Sequence, residues 1–101
     1  MKTELNPIKD TRKSFYGKAL VETNENSGVV TLYSYNTPVC KWYGERYVIN
    51  TNVDKDLLFS QTTLRHIKEF LYQYAGFDTL TKKEIIKYNE PRLLEIAFST
   101  K

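Results

Sequence analysis

The residue types that carry nucleophilic chemistry are scarce in this chain. His66 is its single histidine and Cys40 its single thiol. A cysteine–histidine dyad would need the imidazole to activate the thiol, and no recognisable nucleophile motif surrounds either residue. His66 falls at the border of the apolar arc of an amphipathic segment, and Cys40 lies in a strand-like run. We therefore expect structural roles for both.

Metal and phosphate chemistry have equally little support in the residue pattern. A zinc site needs clustered Cys and His ligands, and one residue of each type does not supply them. Asp54 and Asp56 flank Lys55, but the spacing of an EF-hand loop does not follow. The sequence also contains no glycine-rich phosphate loop, G-x-S-x-G or H-E-x-x-H motif. It therefore predicts no enzyme, with no metal site and no cofactor.

Aromatic residues are the second chemical feature, because they make up 14% of the chain. Strand parity places Tyr33 and Tyr35 on one face of a strand, opposite Leu32. Exposed aromatics beside basic residues can stack single-stranded bases or anchor a protein partner. The same residues can also simply fill a half-buried sheet. The candidate partner-binding residues of the strands are Tyr33, Tyr35, Lys41, Tyr43, Arg46 and Tyr47.

The polar face of a predicted helix over residues 60–75 is a further candidate surface. Such faces are most often only solvated, and Arg65 can pair there with Glu69 one turn later. Tyr72 is an aromatic residue among these charges, which makes it a hypothetical contact hot spot. The candidate residues of this face are Arg65, Lys68 and Tyr72.

The net charge of +3 is concentrated at the N-terminus. Residues 1–18 hold five basic and two acidic groups, whereas residues 19–101 hold ten of each. A duplex-DNA binder usually carries a basic stripe on its folded body, which this distribution does not favour.

The lone cysteine excludes an intrachain disulfide and favours a reducing cytoplasm. No apolar run reaches the roughly 20 residues of a membrane span, so no membrane partner is expected.

Strand-like runs occupy the first half of the chain. Residues 1–14 lack apolar periodicity and are predicted to form a flexible basic arm. A single domain is then predicted over residues 15–101. Short turns such as Gly44-Glu45 favour an antiparallel meander. The predicted strands are residues 15–23, 29–35, 39–43 and 46–50.

Helical signals follow in the second half. Apolar residues at spacings of three and four predict a helix over residues 60–75, with Ser60 as its N-cap and Gly76 at its end. The capping box Thr81-Lys82-Lys83-Glu84 predicts a second helix. Residues 92–98 fit either a strand or a short helix, and Asn89 as a cap with Pro91 in the first turn favours the helix. The predicted fold class is α+β, a four-stranded antiparallel sheet packed by the 60–75 helix and followed by one or two short helices.

Three segments resemble a family of small phage and prophage proteins of unknown function. They are FYGKA at 15–19, LYSYNTPVC at 32–40 and FSQTTLRHIKEFLYQ at 59–73. The resemblance covers residues 12–78, and it implies a mobile-element origin and a location in the bacterial host cytoplasm. It also marks Thr62-Thr63 and Arg65-His66 as positions of interest. Pro38 departs from the family pattern, and residues 79–101 lie beyond it.

These observations together favour function by binding. We expect an accessory protein that binds a host protein or protein–nucleic acid complex, such as a CRISPR or restriction complex, and inhibits it. A single-stranded DNA or RNA binder that uses the sheet aromatics and the basic arm is the alternative. A self-associating regulatory or structural phage protein is the second alternative. Neither the partner's identity nor the oligomeric state follows from the sequence.

Overall fold

The β-branched and aromatic runs of the first half form a five-stranded antiparallel sheet in the computed structural model, which describes residues 2–6, 18–78 and 80–98. Strand order in the sheet follows strand order in the chain, so the topology is a meander. The predicted α+β class and antiparallel sheet are confirmed. The strands are β1 (Lys2–Glu4), β2 (Ala19–Thr23), β3 (Val30–Ser34), β4 (Thr37–Trp42) and β5 (Tyr47–Ile49).

The sheet has one strand more than the four that were predicted, and the additional strand is β1. Lys2, Thr3 and Glu4 pair with β2, and Leu5 behind them is only 2% exposed. The start of the predicted arm is therefore part of the sheet, because the backbone of β2 offers hydrogen bonds that hydrophobic periodicity does not reveal. The rest of that arm, residues 7–14, and the first residues of the predicted strand, 15–17, lie outside the described residues.

The turn between β3 and β4 is tighter than the predicted break at residues 36–38. Tyr35 and Asn36 both have positive φ, at 52° and 67°, which corresponds to a two-residue hairpin turn. Thr37 and Pro38 consequently belong to β4. The pairing of β3 with β4 then shifts register, so that Leu32 pairs with Cys40 and Tyr33 with Pro38.

Helix α2 (Gln61–Ala75) packs across one face of the sheet, hereafter the inner face. The predicted ends are confirmed: the Ser60 hydroxyl accepts from the Thr63 amide at 3.2 Å, and Gly76 is left-handed with φ of 74°. Burying one large aliphatic or aromatic side chain stabilises the fold by about 1.5–3 kcal/mol. The core between sheet and helix includes Val21, Leu32, Cys40, Ile49, Ile67, Phe70 and Leu71.

Two short helices complete this side of the molecule. α1 (Lys55–Leu58) begins at the Asp54 cap and lies between the predicted strand that ends at residue 50 and the predicted helix that begins at residue 60. Its four residues are too few for a helical period to be recognised in the sequence. α3 (Lys82–Tyr88) has the predicted capping box, in which Thr81 and Glu84 bond to each other's backbone amides.

The C-terminal segment crosses to the opposite face of the sheet, hereafter the outer face. A 3-10 turn (Pro91–Leu93) leads into α4 (Leu94–Phe98), so the helical prediction is confirmed. Its cap is Glu90 rather than Asn89, since the Glu90 carboxylate accepts from the Arg92 amide. Ala97 and Phe98 pack on Val48 of β5.

The Asn89 side chain instead protects the sheet edge. Its Oδ1 accepts the Ile49 N–H at 2.8 Å, and the Glu90 N–H donates to the Tyr47 carbonyl at 3.0 Å. These bonds occupy the polar backbone groups that an edge strand would otherwise present to another chain.

Candidate interaction surface

The outer face carries a row of directly paired residues that crosses all five strands. Side chains alternate between the two faces of a strand, so the residues next in sequence to the buried residues of the inner face project from the outer face. Lys2 pairs with Glu22, Glu22 with Thr31, Thr31 with Lys41, and Lys41 with Val48. The C-terminal segment covers Val48, while Lys2 and Glu22 remain exposed or half-buried. The outer face is therefore covered at β5 and open towards β1.

A groove of about 670 Å³ lies on the open part of this face. We call it the outer-face groove. Its lining combines the β2–β3 turn at residues 23–27 with Glu22, Val29, Thr31, Tyr33, Lys41 and Tyr43. A smaller depression of about 260 Å³ shares Thr31, Tyr33 and Lys41 with it and continues to Phe98 of α4. The candidates Tyr33, Lys41 and Tyr43 thus come together on one surface.

Tyr33 is held in place within the groove by two charged neighbours. Its hydroxyl donates to Glu22 Oε1 at 3.0 Å, and Lys2 Nζ lies 4.0 Å from the centroid of its ring. The hydrogen bond from Tyr33 lowers the pKa of Glu22. Burial, with the same hydrogen bond, raises the pKa of Tyr33. The phenol therefore stays neutral and oriented at physiological pH.

Tyr43 and Lys41 both contact the C-terminal segment. Tyr43 packs against the cluster that Val48 forms with Ala97 and Phe98, and partial burial raises its pKa. Lys41 Nζ lies 5.5 Å from the centroid of the Phe98 ring. The C-terminal segment thus supports one side of the outer-face groove, because two of the lining residues rest on it.

Tyr47 does not belong to any surface, so the prediction that it contacts a partner is wrong. Its side chain is 1% exposed, and its hydroxyl donates to the carbonyl oxygen of Ile85 in α3. Burial raises its pKa. The error arises because the strand points this ring at the inner face, which sequence parity alone does not identify.

Tyr35 and Arg46 lie at turns away from the outer-face groove. Tyr35 is 45% exposed, with its ring centroid 6.0 Å from that of His66 and 5.8 Å from Lys18 Nζ. Arg46 follows the β4–β5 turn and forms an ion pair of 3.6 Å with Glu90. Neither residue lines the groove beside Tyr33.

The helix candidates occupy the opposite layer of the molecule. Lys68 is exposed, whereas Arg65 and Tyr72 are half-buried. The predicted solvated position of Glu69 is wrong: this residue is 2% exposed, and its Oε2 accepts from Gln73 Nε2 at 2.6 Å. Arg65, Lys68 and Tyr72 therefore form no common surface with Tyr33, Lys41 and Tyr43.

His66 and Cys40 are both buried. His66 is 0% exposed rather than at a border, and its Nδ1 lies 2.8 Å from Ser34 Oγ. Burial raises the pKa of the Cys40 thiol, which keeps it in the unreactive neutral form. Among residues 2–6, 18–78 and 80–98, no cluster of three or more His, Cys, Asp or Glu could hold a metal ion. Within the same ranges, no helix is long and apolar enough to cross a bilayer.

Glu22 and Thr31 are groove residues that the sequence prediction missed. Both are ordinary strand residues, and their position beside Lys41 depends on the register of three strands. Alternation within β3 places Thr31 on the face of Tyr33, whereas Glu22 lies in β2 and can be placed beside them only if the register is known.

Comparison with known proteins assigns the chain to a family. A model of a family of unknown function, DUF8033, matches residues 3–87. No curated protein and no solved structure matches the chain. The matched region includes most of β1 and most of α3 and so extends beyond residues 12–78, on which the resemblance noted above rests. The chain belongs to the DUF8033 family of unknown function.

Proposed function

We propose that this protein is a non-enzymatic binding protein that engages a protein partner through the outer-face groove. The observation that carries the proposal is the convergence of Tyr33, Lys41 and Tyr43 on one groove of about 670 Å³. Tyrosine supplies a large contact area at low entropic cost, since it has few rotatable bonds. Both phenols are also held in place by neighbours, which lowers the cost of ordering them on binding.

The polar residues of the groove favour a protein partner as well. Asn24, Asn26 and Ser27 line its β2–β3 end. The combination of Tyr with Ser and Asn is typical of surfaces that recognise proteins, because the amides and hydroxyls adapt to many hydrogen-bonding patterns. A mixed-charge surface with aromatic anchors suits a polypeptide.

Single-stranded nucleic acid fits this groove less well. Glu22 and Glu25 line it beside Lys41, and their carboxylates would repel phosphates. Lys2 already lies over the Tyr33 ring, at 4.0 Å from its centroid, where a stacked base would compete with it. Nucleic-acid binding therefore remains the second candidate.

We further propose the biological setting that the resemblance to phage and prophage proteins suggests. The protein would come from a mobile element and act in the host cytoplasm on a nucleic-acid-directed defence complex, such as a CRISPR or restriction complex. Binding without turnover suits an inhibitor, which needs only to occupy a surface of its target.

The direct test uses a photo-crosslinking amino acid in place of Asn26, a groove residue exposed to solvent. Purified targets identified by this crosslink are then titrated with the protein and with Lys41→Glu. We expect Lys41→Glu to weaken binding by about tenfold or more, and Lys68→Glu on α2 to leave it unchanged. Loss of binding in Lys68→Glu alone would place the interface on the helix layer and refute the proposal.

Two further measurements distinguish inhibition of a host defence complex from binding of single-stranded nucleic acid. Expression in a bacterium with an active CRISPR or restriction system is expected to raise phage plaquing efficiency, and Lys41→Glu is expected to abolish the increase. A labelled single-stranded oligonucleotide is expected to bind weakly. Micromolar or tighter oligonucleotide binding that falls steeply between about 50 and 200 mM salt would favour the nucleic-acid reading instead.

A further inference from the structure

A second groove lies between α1, α3 and the end of β5, on the inner side of that strand. Its volume is about 580 Å³, within the range of about 300–1,000 Å³ that is usual for ligand sites. Ile49, Phe59 and Ile86 give it an apolar lining, and the Ile86 side chain is 48% exposed. We call it the α1–α3 groove.

The charges at the α1–α3 groove favour an acidic ligand. Lys55 and Lys82 line it, with Lys82 Nζ at 4.9 Å from the centroid of the Phe59 ring. Asp56 is the acidic residue of the lining. Lys83 and Lys87 on α3 are exposed too, but neither lines the groove. A carboxylate beside a branched apolar side chain would meet both the lysines and the apolar lining.

The same chain presents such a pair of side chains on α4. Ile96 is 76% exposed, more than any other large hydrophobic residue among those described, and Glu95 beside it is exposed too. Tyr88, the last residue of α3, is 50% exposed. Most of the exposed large hydrophobic side chains among the described residues therefore belong to α3 and α4.

A molecule cannot fill its own α1–α3 groove with this pair. α4 packs on Val48 at the outer face of β5, whereas the groove is lined by Ile49 on the inner side of the same strand. The strand separates the two surfaces, so the occupant has to come from another molecule.

We propose that the α1–α3 groove binds α4 of a second copy of this chain, with Ile96 against the apolar lining and Glu95 beside Lys55 and Lys82. The α1–α3 groove and α4 are different surfaces of the chain. Two copies related by a two-fold axis would therefore form the contact twice, whereas an arrangement that does not close would add further copies. This association uses neither Tyr33 nor Lys41 and does not depend on the function proposed for the outer-face groove.

The test is sedimentation equilibrium of the full chain from micromolar to millimolar concentration. We expect concentration-dependent association that Lys82→Glu and Glu95→Lys each weaken by about tenfold or more. The double variant restores the opposite charges and is expected to recover association to within about threefold. Ile96→Ser is expected to weaken it as well, because the apolar contact is lost.

Lys83→Glu is the matched control, since this exposed lysine lies beside Lys82 but does not line the groove. It should leave association unchanged, and circular dichroism should show every variant folded. A chain that stays monomeric at millimolar concentration overturns the proposal. This holds even if the groove binds an acidic segment of another protein, because the proposed occupant is a second copy of the chain. Equal weakening by Lys83→Glu and Lys82→Glu, or no rescue in the double variant, overturns it too.

Discussion

Ser34 Oγ lies 2.8 Å from His66 Nδ1, and both residues are 0% exposed. The Thr63 hydroxyl joins them at 3.2 Å from Ser34 and in turn bonds to Ser60, the cap of α2. A polar chain therefore connects the end of β3 with the first turns of α2. Such a connection fixes how the helix sits on the sheet, because each buried polar group has to meet its partner.

Replacement of Ser34 by Ala should destabilise the protein. The change removes a hydrogen-bond partner of His66 from a buried position, and we expect a loss of about 1–3 kcal/mol in the free energy of unfolding. Urea denaturation measures it. Thr23→Ala, an exposed hydroxyl at the end of β2, should change stability by less than about 0.5 kcal/mol. Equal effects of the two changes would mean that the polar chain contributes nothing specific.

The bond between Tyr47 and Ile85 gives a second prediction. Tyr47→Phe keeps the ring in the core but removes the donor to the Ile85 carbonyl, so that α3 loses a hydrogen bond to β5. We expect a loss of about 1–3 kcal/mol, since that carbonyl is left without this donor in a buried setting. Tyr88→Phe, on a half-exposed ring of α3, is the matched control and should be nearly neutral. A neutral Tyr47→Phe would contradict the buried role assigned to this hydroxyl.

The third prediction concerns pH. Hydrogen bonds from the Arg92 side chain and backbone amide lower the pKa of Glu90 from 4.5 to about 2. A carboxyl with a lowered folded-state pKa stabilises the fold above its unfolded pKa, and this contribution is lost as pH falls through the folded value. Glu90→Gln should therefore be less stable than the parent at pH 7, and the difference should shrink between about pH 4.5 and 2.

Urea denaturation at several pH values measures that difference. Arg92→Met is the control, because it removes the largest cause of the lowered pKa and should reduce the pH dependence in the same window. A difference between the parent and Glu90→Gln that stays constant from pH 7 to pH 3 would show that the carboxylate charge is not responsible.

Local sequence signals predicted the helix ends well. Ser60, Gly76 and the Thr81–Glu84 capping box act through bonds to backbone groups only a few residues away, so their effect is readable from spacing alone. The same is true of the tight turn at Gly44 and Glu45, where the Tyr43 amide donates to the Arg46 carbonyl at 2.8 Å. α1 was not predicted, because its four residues span only about one turn and no repeat can be recognised in them.

The candidate surface was predicted only in part, because its members come from different strands. Aromatic and basic types singled out Tyr33, Lys41 and Tyr43, but the same criterion also selected Tyr47, which the sheet turns into the core. Glu22 and Thr31 carry no signal of their own.

The sequence by itself determined that strands precede helices, where the polar caps lie and how scarce the reactive side chains are, since these depend on residue type and short spacing. The tertiary structure decided that β1 joins the sheet, that α4 covers the outer face at β5, and that Glu22, Thr31 and Lys41 lie side by side. Those outcomes depend on strand register and on which surfaces bury each other. Both are set by contacts between residues far apart in the chain, and a one-residue slip would reverse every face.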